Sequence, residues 1–260
     1  MERLPTVFLS HGSPLHALEA GGAGLAWEAL AASLPRPRAI LIASAHWETQ
    51  LPMLTGGERH ATIHDFSGFP PELYRLRYDV AGSPTLAAHA ATLLKSAGMA
   101  ATVNACRGID HGAWVPLRWM YPAADVPVVQ ISVQTSLGAV HHLHVGETLA
   151  PLREAGVLVI GSGHMTHNLR DLAGPRDDRG PADYVVQFSQ WVAERLARGE
   201  RDALLAWRDQ APAAARAHPT DEHFLPLFIG LGAAGPAARA TRVYSAIDAG
   251  VLSMDAYRFD

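Results

Sequence analysis

Strand-length runs of apolar residues alternate with helical patterns along this chain, and three of the runs end close to a histidine. The three histidines are His11, His46 and His167, which follow the apolar runs at 7–10, 40–45 and 157–161. Such alternation predicts an α/β fold in which helices cover both faces of a mostly parallel central sheet. The carboxyl ends of parallel strands meet at one sheet edge, where open α/β sheets bind ligands, so the three imidazoles should converge there.

The composition is compatible with one domain spanning residues 1–260. A chain of 260 residues that is 48% hydrophobic can bury a sizeable core. A formal net charge of −4 and the lack of a Lys/Arg-rich run argue against nucleic acid or an anionic membrane as partner, which favours a small molecule. The first residues form no apolar segment of the length of a signal peptide or membrane span, so we expect a cytoplasmic protein.

Helices are predicted at 24–34, 84–96, 113–120, 138–155, 181–198 and 221–231, with a further central strand at 126–133. Residues 56–82 show no sustained period and are rich in glycine, proline and aromatic residues, which indicates a functional loop. His141, His142 and His144 begin a helix and should form a solvated face. The single cysteine, Cys106, excludes an internal disulfide and a thiolate-rich metal site, and we expect it to be partly buried.

A cluster of neutral imidazoles at a sheet edge is most simply a transition-metal site. A fourth candidate ligand comes from residues 218–223, because the first turn of the next predicted helix would present Glu222 or His223 to the same edge. Two or three histidines with one carboxylate and open positions describe a non-haem Fe(II) oxygenase. Three histidines with one water would equally suit catalytic zinc, and the spacing does not separate the two metals.

Two further groups of titratable residues accompany these histidines. Asp110 and His111 stand immediately before a predicted helix, where His111 could act as acid or base while Asp110 orients it or caps the helix. The alternative is a simple cap beside a surface histidine. His64 and Asp65 lie among the aromatic residues of the long loop, either as the wall of an aromatic-substrate pocket or in ordinary loop packing. Residues 161–163 lack the third glycine of a dinucleotide fingerprint, so we reject that cofactor.

Taken together, the motifs resemble the class III extradiol ring-cleaving dioxygenases of the LigB type, in the branch similar to DOPA 4,5-dioxygenase. The matching segments are FLSHGSP at 8–14, SAHW at 44–47, TIHDFSGFP at 62–70, RGIDHGAWVPL at 107–117, GSG through HNL at 161–169 and PTDEH at 219–223. The resemblance implies an α/β fold with one metal ion at the sheet edge. It also implies that O₂ opens a catechol-type aromatic ring to give a semialdehyde.

The resemblance further implies roles for individual residues. The metal is held at positions that match His11, His46 and His223, while His167 matches either a further ligand or an acid–base group beside the metal. His111 matches a histidine that contacts substrate or assists proton transfer. The candidate substrate-binding residues are His64, Asp65 and Asp110. Fe(II) is the cofactor expected for oxygen chemistry, and Zn(II) is a substitute without redox function that could occupy the site in purified protein.

Departures from the family pattern leave several alternatives open. His16 and His164 stand where similar sequences more often carry a small polar residue, so either could approach the metal. More distant LigB-type enzymes use glutamate as the helix-start ligand, which keeps Glu222 as a reserve candidate. A zinc hydrolase of an amide or ester, or a non-catalytic metal- or ligand-binding member of the fold, is the rival function. The catechol, the ring bond that is cleaved and the choice between a monomer and a homodimer also stay open.

Overall fold

The structure is a computed structural model that describes residues 3–172 and 180–260. The strands are β1 (Thr6–Ser10), β2 (Ala39–Glu48), β3 (Met53–Thr55), β4 (Arg59–His60), β5 (Val80–Ala81), β6 (Thr102–Asn104), β7 (Val128–Val133), β8 (Val157–Gly163), β9 (Ala240–Tyr244), β10 (Ile247–Asp248), β11 (Leu252–Ser253) and β12 (Ala256–Phe259). The helices are α1 (Gly21–Ser33), α2 (Pro84–Ser96), α3 (His111–Met120), α4 (Gly138–Leu149), α5 (Leu169–Leu172), α6 (Asp183–Arg198), α7 (Arg201–Leu205), α8 (Trp207–Gln210), α9 (Ala214–Ala217) and α10 (Leu225–Ala234).

Eight of the strands form one sheet in the order β6-β3-β7-β2-β8-β1-β12-β9. The four central strands, β7, β2, β8 and β1, run parallel to one another. At one end of the sheet β12 and β9 are antiparallel, and at the other end β3 is antiparallel to β7 and parallel to β6. The predicted α/β fold with a mostly parallel central sheet is therefore confirmed.

Both faces of the central strands are buried, which explains why these strands have continuous apolar sequences. In β2, Ile40 and Ile42 belong to the core cluster that contains Trp27 of α1. The alternate residues Leu41 and Ala43 belong to the cluster formed with α2, α4 and α10. Helices thus cover both faces, as the alternation of apolar runs and helical patterns predicts.

Helix α10 is buried along its whole length and approaches its neighbours at backbone distance. A Cβ atom built on Gly161 of β8 would lie 2.0 Å from the carbonyl oxygen of Pro226, and one on Gly232 would lie 2.1 Å from that of Leu143 in α4. Glycine is therefore required wherever α10 crosses β8 and α4. Although α10 is apolar, none of the helices in the described ranges has both the length and the apolar character needed to cross a membrane.

Two of the predicted helices, those at 138–155 and 221–231, have different ends in the structure. Helix α10 begins at Leu225 and not at residue 221, because Pro226 occupies its first turn and residues 221–224 form a tight turn instead. Helix α4 ends at Leu149, and Pro151 lies in the 3-10 turn Ala150–Arg153 that follows, because proline supplies no amide hydrogen to continue an α-helix. The other predicted helices agree with the structure to within three residues at each end.

The long loop at 56–82 has some regular structure that its sequence does not predict. Strands β4 and β5, which lie near its two ends, pair antiparallel, and Thr62 forms a bridge to Ile109 just before α3. The Asp79 carboxylate accepts hydrogen bonds from both the backbone amide and the hydroxyl of Thr62, at 3.1 and 2.9 Å. These contacts hold the middle of the loop beside the amino end of α3.

Two side chains lie opposite to their predicted environments. Cys106 is exposed and not partly buried. His142 is completely buried, whereas His144 is exposed as the predicted solvated face requires. The Nδ1–H group of His142 donates to the carbonyl oxygen of Gly138 at 2.7 Å, and Nε2 accepts from the backbone amide of Gln134 at 3.0 Å. Burial lowers the pKa of His142 to about 4, so this imidazole is a neutral structural group.

Replacement of Gly146 by alanine should destabilise the protein. A Cβ atom at this position in α4 would lie 2.2 Å from the carbonyl oxygen of Ile229, so α4 and α10 would have to separate. Helix propensity alone predicts stabilisation by about 1 kcal/mol, whereas the steric conflict predicts a net loss of roughly 1–2 kcal/mol. Urea unfolding of Gly146→Ala measures the change in the free energy of unfolding, and a gain in stability would contradict the close packing.

His142 should make the protein sensitive to acid. Its folded-state pKa lies below 6.5, so the unfolded chain binds the proton more readily, and stability is lost as the pH falls from about 6.5 toward 4. Between pH 7.5 and 5.5 the loss due to this residue should be about 1 kcal/mol. Urea unfolding measures the free energy of unfolding at both pH values. The decrease from pH 7.5 to pH 5.5 should be smaller in His142→Gln than in the wild-type protein by about 1 kcal/mol. An equal drop in both proteins would contradict this assignment.

Candidate metal centre

Three imidazoles meet at the carboxyl edge of the central strands. His11 directly follows β1, His46 lies in β2, and His223 lies in the turn before α10. The Nε2 atom of His46 is 3.0 Å from that of His11 and 3.2 Å from that of His223. Strands β1 and β2 lie on either side of β8, so the sheet order itself brings the first two histidines together.

A local irregularity in β2 turns His46 into this cluster. The pairing of β2 with β7 is regular up to Ala43 and resumes only at Glu48, after a shift in register. Such a bulge redirects side chains that a regular strand would point elsewhere. His46 is therefore inside an interrupted strand, whereas the apolar run predicts that it follows one.

Hydrogen bonds to the outer ring nitrogens of His11 and His223 direct their Nε2 lone pairs toward the cluster. The hydroxyl of Ser162 donates its hydrogen to the carbonyl oxygen of Gly112, so it must accept from the Nδ1–H group of His11, which lies 3.1 Å away. The Nδ1–H group of His223 donates to the carboxylate of Glu222 at 2.9 Å. In the neutral state, both histidines therefore have an unprotonated Nε2 atom, which is the form that binds a metal ion.

The charge state of the cluster also fits a bound cation. Burial is the main cause of lowered pKa values in His11, His46 and His223, and the neighbouring imidazoles lower them further. Three neutral nitrogen donors that face one another repel unless a cation lies between them. The donor set is that of a divalent transition metal, and both Fe(II) and Zn(II) accept such ligands.

Asp65 connects His46 with His111. One carboxylate oxygen is 2.9 Å from Nδ1 of His111 and 3.5 Å from Nδ1 of His46, and the other accepts from the backbone amide of His111 at 2.9 Å. Burial alone would raise the pKa of Asp65, but hydrogen bonds and charge interactions with His111, together with His46, lower it overall. Asp65 thus fixes the ring of His111, with Nε2 as its remaining titratable atom.

Asp110 has a different place from the one that its sequence position suggests. Its buried carboxylate accepts from the hydroxyl of Ser44 at 2.6 Å, from Arg107 at 3.2 Å and from the amide group of Gln130. It forms no side-chain cap on α3, and the orienting contact to His111 comes from Asp65, so both roles predicted for Asp110 are wrong. With 0% of its surface exposed, Asp110 has no area through which to contact a substrate.

His167 lies against one member of the cluster. Its ring stacks on that of His223, with centroids 3.4 Å apart and planes inclined by 12°. A ligating atom of His167 lies within 4.8 Å of those of Glu222 and His223, so this group shares His223 with the cluster but includes neither His11 nor His46. Burial, followed by repulsion from His111, lowers the pKa of His167 to about 4.

The two additional histidines that could confuse the ligand count lie outside the three-nitrogen cluster. His164 is buried with its ring edge-on to that of His11, at a centroid distance of 5.3 Å. His16 points toward the C-terminal region, where its Nε2 is 2.9 Å from the carboxylate of Asp248. Its Nδ1 is 3.1 Å from the carbonyl oxygen of Ser13.

Aromatic side chains of the long loop form a wall beside His111. The ring of Phe66 lies 5.6 Å from that of His111 and 5.7 Å from that of His64. The Nε2–H group of His64 donates to the carbonyl oxygen of Leu76 at 3.1 Å, and its ring is also close to Tyr74, at 6.0 Å. These rings therefore lie beside His111, where the sequence predicts either the wall of an aromatic-substrate pocket or ordinary loop packing.

The sequence pattern did not reveal the small residues that allow these groups to meet. A Cβ atom on Gly112 would lie 2.4 Å from the hydroxyl of Ser44 and 3.1 Å from a ring carbon of His46. One on Gly163 would lie 2.0 Å from the carbonyl oxygen of His223. The sequence signal for Gly163 is the Gly-Ser-Gly sequence at the end of β8, which resembles both a fragment of a dinucleotide fingerprint and a LigB-type segment.

The fold and this cluster agree with comparisons to known proteins. The family described as "Catalytic LigB subunit of aromatic ring-opening dioxygenase" matches residues 5–249. The chain is 40% identical to 4,5-DOPA dioxygenase extradiol of Beta vulgaris, with 98% of this chain and 96% of that protein covered. It is 39% identical to the protein of the same name in Escherichia coli K12, with 97% and 93% covered. The crystal structure of an uncharacterized Escherichia coli K12 protein superposes with a TM-score of 0.84 at 34% identity, covering 99% of this chain and 100% of that one.

The fold, the histidine cluster and these matches together identify a metal-dependent enzyme of the ring-opening class. The chain belongs to the LigB family of aromatic ring-opening dioxygenases. It is an extradiol ring-cleaving dioxygenase, as the resemblance of its motifs predicts.

Removal of the Ser162 hydroxyl should weaken metal binding. Without this acceptor, His11 is free to carry its proton on Nε2, which competes with coordination. Loss of an outer contact of this kind typically costs about 10- to 100-fold in metal affinity. Competition with a chelating dye would measure the affinity of Ser162→Ala, with Ser136→Ala at an exposed position as the control. Equal affinities in the two variants would show that the contact does not orient a ligand.

Proposed function

We propose that this dioxygenase uses Fe(II), bound by His11, His46 and His223, to open a catechol ring with O₂ and release a semialdehyde. The observation that carries the proposal is the approach of three Nε2 atoms. That of His46 lies 3.0 Å from that of His11 and 3.2 Å from that of His223. We also propose that residues 1–260 act as one catalytic domain. In this proposal Glu222 is not a ligand but orients His223, because its carboxylate accepts a hydrogen bond from the Nδ1–H group of His223.

Iron fits this role better than zinc on chemical grounds. When bound, Fe(II) allows electrons to pass from the catechol to O₂, whereas Zn(II) has no redox chemistry. His11, His46 and His223 would hold the metal in this role through three nitrogen atoms. In this proposal Zn(II) is an inactive substitute at the same nitrogen atoms.

His111 is the proposed acid–base group. The Asp65 carboxylate accepts a hydrogen bond from its Nδ1–H group at 2.9 Å, so Nε2 is directed away from Asp65 and can take a proton from a catechol hydroxyl. The same nitrogen can later return the proton to an oxygen atom of the opening ring. Asp65 is therefore proposed as a positioning residue near the substrate.

His167 is proposed to contact the substrate from the other side of the cluster. Its ring is stacked on His223, partly exposed and neutral near pH 7, so it can exchange a hydrogen bond with a catechol oxygen. We assign it as an acid–base group beside the metal and not as one of the three ligands. His64 and Phe66 would form the apolar wall along the face of the aromatic ring.

The proposed substrate is a catechol with a side chain, such as DOPA. Relatives named 4,5-DOPA dioxygenase extradiol match 98% of the chain at 40% identity and 97% at 38% identity. The aromatic wall suits a planar ring, and the exposed residues Tyr74 and Arg77 of the same loop are placed to meet substituents. The test therefore compares DOPA with caffeate, protocatechuate and plain catechol.

Oxygen uptake by protein loaded anaerobically with Fe(II) tests the proposed reaction. We expect one O₂ consumed for each catechol, formation of a yellow product, and no uptake by the zinc-loaded protein. Absence of uptake with every catechol, although iron is bound, would contradict the proposal. Ester or amide hydrolysis by the zinc-loaded protein would instead support the hydrolase.

Two alanine variants should separate metal binding from proton transfer. His46→Ala removes the nitrogen that lies between the other two, so metal content and activity should be lost together. His111→Ala should retain the metal but lower kcat by about 10²- to 10⁴-fold, the usual contribution of a positioned acid or base. Metal analysis and oxygen uptake on the same samples measure both effects. Full metal occupancy in His46→Ala, or metal loss in His111→Ala, would contradict the assignment.

A further inference from the structure

A cavity lies at the edge of the sheet opposite to the imidazole cluster. It has a volume of about 600 Å³, within the usual range of small-molecule sites. Its lining includes Pro5 before β1, Pro35 before β2, Arg153 before β8 and Asp260 after β12. Residues that precede parallel strands lie at the amino edge of the sheet, whereas the imidazole cluster lies at the carboxyl edge.

Three arginines line this cavity, but only one has a carboxylate partner in the described part of the chain. Arg258 pairs with Asp260, whose oxygen lies 2.7 Å from its Nε. Neither Arg3 nor Arg153 lies within 4.0 Å of a carboxylate in residues 3–172 and 180–260. Among the described residues that line the cavity, Asp260 is the only acidic one beside three arginines, so these side chains carry an excess of positive charge.

Arg153 is buried, with 2% of its surface exposed, although no carboxylate of the described residues pairs with it. Its Nε donates to the carbonyl oxygen of Leu4 at 2.5 Å, and Nη1 donates to those of Ala233 and Ala234 at 2.8 and 2.9 Å. These carbonyl groups belong to the end of α10 and the start of the chain. Burial, with repulsion from Arg3, lowers the pKa of Arg153 to about 10, and Asp260 opposes this effect.

Carbonyl dipoles explain only part of this arrangement. Buried charges in proteins are normally paired with an opposite charge, because partial charges alone do not replace the lost hydration. The Nη2 group of Arg153 has no protein acceptor among the described residues. Within this part of the chain, Arg3 donates hydrogen bonds only through its Nη2 group, to the carbonyl oxygens of Ala233 and Ala234 at 3.5 and 3.3 Å. Donors for a further acceptor are therefore present where the positive charge is in excess.

We propose that this cavity binds a small organic anion with a carboxylate or phosphate group, at a site separate from the metal centre. The arginines supply the charge-assisted hydrogen bonds that such oxyanions require. Pro5, Pro35 and Pro236 form rigid apolar walls that fit a hydrocarbon or aromatic body. The cavity and the cluster lie near opposite ends of α10, which begins after His223 and ends at Ala234.

Titration calorimetry of the metal-loaded protein tests the site with phenyl phosphate, benzoate and inorganic phosphate as probes. Phenyl phosphate and benzoate distinguish the two oxyanions, and inorganic phosphate shows what the apolar body contributes. Arg3→Gln and Arg258→Gln alter the cavity without removing the buried contacts of Arg153. Arg198→Gln on α6, where the side chain is 60% exposed, is the matched control.

We expect saturable binding of one anion per chain that is weakened at least about tenfold in both cavity variants and unchanged in the control. Binding should also persist in His46→Ala, which excludes an anion held by the metal. Absence of saturable binding, equal affinity in the cavity and control variants, or loss of binding in His46→Ala would each overturn the proposal. The His46→Ala result also keeps this test separate from that of the proposed oxygen chemistry.

Discussion

Two backbone hydrogen bonds at the end of β8 fix the relative positions of the candidate metal ligands. The amide of His11 donates to the carbonyl oxygen of Gly163 at 3.0 Å, and the amide of His164 donates to that of His223 at 2.8 Å. The end of β8 therefore holds the backbones of His11 and His223, which are more than 200 positions apart in the sequence. A side chain at Gly163 would separate them, so the cluster depends on this close backbone contact.

Around this contact, each cluster histidine has a different outer partner. Ser162 is a neutral acceptor for His11, whereas the carboxylate groups of Glu222 and Asp65 lie beside His223 and His46. Negative charge in the outer layer compensates a divalent cation and increases the basicity of the ligating nitrogens. Asp65 also accepts a hydrogen bond from the proposed acid–base residue His111, so in the proposed mechanism metal binding and proton transfer share one carboxylate.

The fold and two of the cluster histidines, His11 and His46, could be predicted from the sequence because they follow from one-dimensional patterns. The same pattern places His167 with them, but in the structure His167 stacks on His223, which the residues alone offered only as an alternative to Glu222. Continuous apolar runs indicate buried parallel strands, and a histidine such as His11 at the end of a run must lie at the sheet edge. The contacts of Ser162 and Asp110 could not be predicted, because they depend on which loop crosses which strand end. His142 was misjudged because it lies on the buried face of α4, which it shares with Ala139 and Val145, whereas its polar character indicates a solvated position.

X-ray absorption spectroscopy of the Fe(II)-loaded protein tests the central claim most directly, because it counts the imidazole ligands around the metal. The account predicts three imidazole ligands in the wild-type protein and two in His223→Gln, with oxygen donors as the other ligands. Fewer than three imidazoles in the wild-type protein, or an unchanged count in the variant, would contradict a centre built from His11, His46 and His223.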